Sequence, residues 1–119
     1  MIQTYPIAAF RVFIADPFAA RYFYNDVLGL KLKAEDYDAG YFIYEMNGFD
    51  LILEMADEED LYLVGRFQGF SLKTTDIQAD YERLRQLGVD ITKPEKQEWG
   101  GTMLHFNDPE DNVFTLVQY

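Results

Sequence analysis

The sequence predicts an α+β fold, built from two successive copies of one strand–helix–strand–strand–strand unit within a single domain over residues 1–119. The main observation is an internal repeat. The stretches AAFRVFIADPFAARYFYNDVLGLKL and GFSLKTTDIQADYERLRQLGVDI each run from an apolar strand to an aspartate, then a helix, then a Leu-Gly pair. A repeat of about half the chain constrains architecture more tightly than local propensity does. A second observation is Asn47-Gly48 between YFIYEM and FDLILEM. Both residues tolerate positive φ, so this dipeptide is the strongest short signal of a hairpin. The third is length: 119 residues suffice for one domain with a real core.

The elements follow in order. Asp16 and Asp76 end the opening strands and are placed to accept from exposed N–H groups as helix N-caps, and Pro17 suits a first helical position. Each helix runs to its Leu-Gly pair, Leu28-Gly29 or Leu87-Gly88, where glycine permits the left-handed C-terminal turn, and a new strand follows at once. Module one spans about 5–56 and closes with the Asn47-Gly48 hairpin. MADEEDLYLVGR contains the linker, about 57–66, whose acids predict a solvated loop or short helical turn. Module two spans about 67–119, with strands Gly101–Asn107 and Asn112–Gln118 around a turn at Asp108-Pro109.

Composition narrows the function classes. With 10 Lys and Arg against 21 Asp and Glu the net charge is −11, the reverse of a nucleic-acid footprint and repelled by anionic membranes. Such a field attracts a cationic ligand, or simply aids solubility. The absence of cysteine removes disulfides, thiolate catalysis and cysteine–zinc sites. No run approaches membrane-spanning length and no leader precedes the first strand, so the expectation is a soluble, cytoplasmic protein. Aromatics at 17% exceed what a small core requires, so some are expected to line a cavity.

FYNDVLGLKL, after an aspartate-capped helix start, and the closing WGGTMLHFNDPEDNVFTLVQ resemble the vicinal oxygen chelate superfamily. That group includes glyoxalase I, the fosfomycin and bleomycin resistance proteins and the extradiol dioxygenases. The resemblance covers nearly the whole chain. It implies two βαβββ modules whose mixed sheets curl around a shared cavity, with a homodimer, side by side or strand-swapped, often completing it. One departure is Asp111, where the family's last turn usually carries glycine; aspartate tolerates the left-handed region, so the turn survives.

Alternation along strands assigns faces. Phe10, Val12 and Ile14 pack under the first helix, leaving Ala9, Arg11 and Phe13 toward the cavity; Phe70 and Leu72 do likewise, leaving Gly69, Ser71 and Lys73 opposite. Leu51, Leu53 and Met55 go to the core and Asp50, Ile52 and Glu54 to the cavity. A two-residue turn at Asn47-Gly48 sets Tyr41 against Glu54, Ile43 against Ile52 and Glu45 against Asp50. With Phe106 and Phe114 as core partners, His105, the only histidine, lies across from Thr115 on the cavity face.

Metal-dependent superfamily members hold a divalent ion through His and Glu from the first, fourth, fifth and eighth strands. The resemblance maps those positions to Ala9, Ile52, Gly69 and Thr115, so no metal and no other cofactor is expected. A displaced site using His105, Glu54 and Asp50 stays open. The leading reading is therefore a metal-free small-molecule binder resembling the bleomycin-resistance branch, with antibiotic resistance as its context and a cationic or aromatic ligand. Its site is drawn from Arg11, Phe13, Tyr41, Ile43, Ile52, Glu54, Trp99, Met103, His105 and Thr115, although strand aromatics serve equally as core or dimer-interface residues. Arg11 and Lys73 either pair with Glu45, Glu54 or Asp50 or receive an anionic substrate. The alternative is a glyoxalase- or dioxygenase-like lyase or isomerase in which His105 and Glu54, or a displaced metal, do the chemistry.

Overall fold

The computed structural model describes residues 3–119, and the chain divides into two compact units at Leu61/Tyr62. The first unit contains strand β1 (Ala9–Ile14), helix α1 (Pro17–Arg21) continuing as a π-helical segment (Tyr22–Val27), and strands β2 (Lys31–Asp36), β3 (Tyr41–Glu45) and β4 (Asp50–Met55). A 3₁₀ helix, Glu58–Leu63, carries the acidic run and spans the division. The second unit contains β5 (Phe67–Lys73), α2 (Ile77–Gln86), β6 (Glu95–Lys96), β7 (Thr102–Asn107) and β8 (Val113–Gln118). Their sheets have the orders β1-β4-β3-β2 and β5-β8-β7-β6, with β1–β4 and β5–β8 parallel and the remaining pairs antiparallel. This is the expected α+β architecture of paired βαβββ modules.

The caps act as the sequence requires. Asp16 Oδ1 accepts from Phe18 N–H and Ala19 N–H, each at 3.1 Å, with Pro17 where a missing N–H costs nothing. Asp76 Oδ1 accepts from Ala79 N–H at 3.0 Å, and Gln118 Oε1 satisfies the Ile77 N–H from outside the helix. Leucines of both Leu-Gly pairs close their helices, but differently. Leu28 N–H bonds Phe23 O, five residues back, at 2.8 Å, so the first helix ends in wider π turns. The buried residues Ala20, Phe23 and Tyr24 fit α-helical spacing equally well, which is why the pattern predicts only a helix.

Strand faces follow the alternation. Val12, Ile14, Leu51, Leu53, Phe42 and Tyr44 form the core beneath the first helix; Leu104, Phe106 and Phe114 join Ile77 and Leu84 beneath the second. The hairpin register is the predicted one, with Tyr41 opposite Glu54, Ile43 opposite Ile52 and Glu45 opposite Asp50. His105 likewise lies opposite Thr115, and Phe106 stacks on Phe114. Asp111 takes the left-handed conformation, φ 64°, that the last turn demands.

One expectation fails. No continuous strand follows Leu87-Gly88. Asp90 O accepts from Asn107 N–H, Thr92 N–H donates to His105 O, and the ladder resumes only at Glu95–Lys96. Pro94 interrupts it, having no N–H to donate.

Candidate functional site

The candidate residues other than Trp99 lie on the open face of each sheet, the face turned away from that unit's helix. In the first unit this face carries Arg11 and Phe13 from β1, Ile52 and Glu54 from β4, and Tyr41 and Ile43 from β3. Gly40, Tyr41, Ile43, Ile52, Glu54 and Met55 line an open cleft of about 340 Å³. Met55, expected in the core, borders the cleft because Gly40 lets it approach. A Cβ on Gly40 would lie 3.0 Å from Met55 Cβ, and its φ of +79° disfavours any side chain there. The strand pattern does not reveal Gly40; the signal available was the glycine just before YFIYEM.

Glu54 is not free to act alone. Arg11 Nε donates to Glu54 Oε1 at 2.6 Å and Arg11 Nη2 to Oε2 at 2.9 Å, a bidentate fork. The bond to Glu54 and the charge behind it raise the Arg11 pKa above its already high ordinary value. The guanidinium also stands 6.0 Å from the centre of the Phe13 ring. Lys33 pairs with Asp50 and Lys31 with Glu45, each at 3.0 Å. The pairing of Arg11 with a strand carboxylate is thus as read from sequence, whereas Lys73 instead sits with its Nζ 3.8 Å from the Tyr119 ring centre.

In the second unit Met103, His105, Thr115 and Ser71 share the open face. His105 Nδ1 lies 2.9 Å from Thr115 Oγ1, and Thr115 is only 1% exposed. Thr115 therefore orients the imidazole and presents little surface of its own. Phe67 meets the same imidazole edge to face at 5.9 Å and is exposed. Sequence reading missed Phe67, although its parity with Ser71 places it on that face. Trp99 is elsewhere on this unit: it packs over Gly101 and meets Tyr119 edge-on at 5.9 Å. Beside it Lys73, Thr74, Thr75, Thr102, Gln118 and Tyr119 border a second open cleft, of about 450 Å³.

The positions implied for a divalent metal do not fit one. Ala9, Ile52 and Gly69 carry no donor, and the Thr115 hydroxyl is engaged with His105. Gly69 lies where β5 slips register against β8, between the Phe67–Val113 and Ser71–Thr115 pairs. A displaced site on Glu54 meets the Arg11 guanidinium already on both its oxygens. Among the described residues no three His, Asp or Glu side chains are grouped to hold a metal ion.

Two matched modules, each with a polar-studded open face over a βαβββ frame, define a vicinal-oxygen-chelate protein. Residues 7–116 match the Glyoxalase/Bleomycin resistance protein/Dioxygenase superfamily, and the chain belongs to it. It is similar to a bleomycin resistance protein of Klebsiella pneumoniae, 30% identical over 89 residues, covering 68% of this chain and 69% of that one. The fold is also close to that of TnmS3, an antibiotic binding protein from Streptomyces sp. CB03234. The TM-score is 0.84 at 27% identity, over 99% of this chain and 98% of that one. A superfamily member from Sphaerobacter thermophilus DSM 20745 matches with TM-score 0.84 and 26% identity over 100% of both chains.

Proposed function

We propose that the protein binds a small molecule with an aromatic portion and sequesters it unchanged, as a homodimer. The observation that carries this reading is the engagement of Glu54, the acid–base candidate at the first unit's apolar cleft, by a neighbour on its own sheet. Glu54 is forked by Arg11, while Tyr41, Ile43 and Ile52 supply walls. Proton transfer needs groups converging on one reacting atom; binding needs apolar area with a few fixed polar contacts. The similarity to a bleomycin resistance protein and to an antibiotic binding protein supports the same reading. Arg11, Phe13, Tyr41, Ile43, Ile52 and Glu54 form one proposed contact surface; on the second unit, considered by itself, Met103 and His105 are proposed contacts, Thr115 acts through His105, and Trp99 lies apart beside Tyr119.

The test is calorimetric titration of the full chain against planar natural-product antibiotics, with mass spectrometry of the recovered compound. Saturable binding with the compound unaltered is the expected result. Conversion of the compound, or stoichiometric retention of a divalent metal by protein purified without chelator, would overturn it. One observation favours a second reading, a lyase or isomerase. Fixing His105 through Nδ1 leaves Nε2 as the nitrogen available to a substrate, the arrangement general-base chemistry uses. That reading requires product formation that His105→Gln abolishes.

A further inference from the structure

The chain carries a net charge of −11, and such a field by itself favours a cationic ligand. The first unit's cleft does not share that character. The carboxylates that β3 and β4 present on its face are Glu45, Asp50 and Glu54. Each has a cation of the same sheet against it: Lys31 at 3.0 Å, Lys33 at 3.0 Å, and Arg11 at 2.6 Å. Asp36, beside Tyr41, turns Oδ1 back to accept from the Ala39 N–H at 3.0 Å. The carboxylates of the β3–β4 face are thus matched one for one by cations, and the remaining acidity lies at its edge, with Asp36 and Asp38, and elsewhere, in part on the 3₁₀ helix with Glu58, Glu59 and Asp60.

We propose that this cleft selects an uncharged planar ring system, and that the Arg11–Glu54 fork sets the preference. The inference rests on the binding reading above and goes further by naming the ligand's charge. A cationic ligand seeking Glu54 must displace a partner that is covalently part of the sheet and bonds both carboxylate oxygens. An anionic ligand seeking Arg11 must displace the carboxylate in turn. A neutral ring displaces neither and covers Ile43 and Ile52, with the Tyr41 ring beside them. The cleft's volume, about 340 Å³, sits at the small end of ligand sites, which span about 300–1,000 Å³. It suits a few fused or linked rings rather than a whole glycopeptide. Arg11 and Glu54 are then specificity residues, and removing either exposes the charge of the other.

Three probes sharing one ring system test this on the full chain by fluorescence titration: N-phenyl-1-naphthylamine, its 8-sulfonate, and an analogue bearing a trimethylammonium group. Wild type is expected to bind the neutral probe tightest. Arg11→Met should raise affinity for the ammonium probe about fivefold, and Glu54→Gln should raise affinity for the sulfonate by a similar factor, the range of an exposed ion pair. Ile52→Glu should abolish binding of the neutral probe, which locates it in the cleft. Probes that bind wild type with a charge preference neither substitution moves, or binding that survives Ile52→Glu, would overturn this inference and leave the general binding reading standing. Failure of all three probes to bind at millimolar concentration would instead remove the binding reading itself.

Discussion

The Thr115 hydroxyl and the Tyr44 phenol show what single buried polar groups contribute here. Thr115 is 1% exposed and bonds His105 Nδ1, so Thr115→Val leaves a ring nitrogen without its partner. The expected loss is about 1–2 kcal/mol by denaturant unfolding, with Thr115→Ser retaining most of the stability. The Tyr44 side chain is fully buried and its hydroxyl donates to Asn25 Oδ1. Burial pushes this phenol up from 10.0 to about 12. The folded state thus holds the Tyr44 proton more tightly than the unfolded chain does. Its stabilisation is complete below pH about 10 and is lost as pH rises toward about 12, by up to about 3 kcal/mol. Tyr44→Phe should flatten that alkaline limb in a stability–pH profile while costing about 1 kcal/mol at neutral pH for the Asn25 bond. The pairing of His105 with Thr115 was legible because Phe106 and Phe114 fix the register. The burial of Thr115 was not, since a period-two pattern gives a side chain's face and not what covers it.

At the scale of elements, the last turn and the approach to β7 are the places where one side chain organises a segment. Asn112 is fully buried; its Oδ1 accepts from Gly65 N–H and Arg66 N–H, and its Nδ2 donates to Asp108 Oδ2. It ties the entry to β5 onto the β7–β8 turn. Asn112→Ala is expected to cost about 2–4 kcal/mol in chemical denaturation, because several buried groups lose partners at once. Gly101 answers a different need. A Cβ there would lie 2.2 Å from two Trp99 ring carbons, so Gly101→Ala must expel the indole from its seat beside Tyr119. Trp99 is the only tryptophan and is already 58% exposed, so in that variant its near-UV circular dichroism should weaken, as the indole loses its fixed place against Tyr119, with the far-UV spectrum unchanged. The capped helices, the Asn47-Gly48 hairpin and the core strands were legible from local chemistry. The π turns at Tyr22–Val27 were not, because they depend on how neighbouring backbone groups satisfy one another, whereas Pro94 was a legible sign that the ladder breaks there.

Across the whole molecule, net charge is expected to outweigh pairing. The ion pairs are solvent-exposed, and such pairs contribute little each, whereas a net charge of −11 repels itself throughout. Salt weakens both effects, and the expectation is that the repulsion is the larger. Raising sodium chloride from about 10 mM to about 200 mM, which shortens the screening length from about 30 Å to under 10 Å, should therefore raise the melting temperature by a few degrees. A fall on adding salt would show that the pairs dominate. No helix among the described residues is long and apolar enough to cross a membrane.

The sequence by itself determined the repeat, the α+β class, the strand faces apart from Met55, and the absence of donors at Ala9, Ile52 and Gly69. Each of these follows from residue type and spacing, which neighbours along the chain suffice to express. Only the tertiary structure decided which charges meet. Arg11 and Glu54 are 43 residues apart in the chain and become adjacent because β1 pairs in parallel with β4. Whether a carboxylate on a sheet presents its charge or has it neutralised depends on which strand lies alongside it. That neighbour is fixed by sheet order and register.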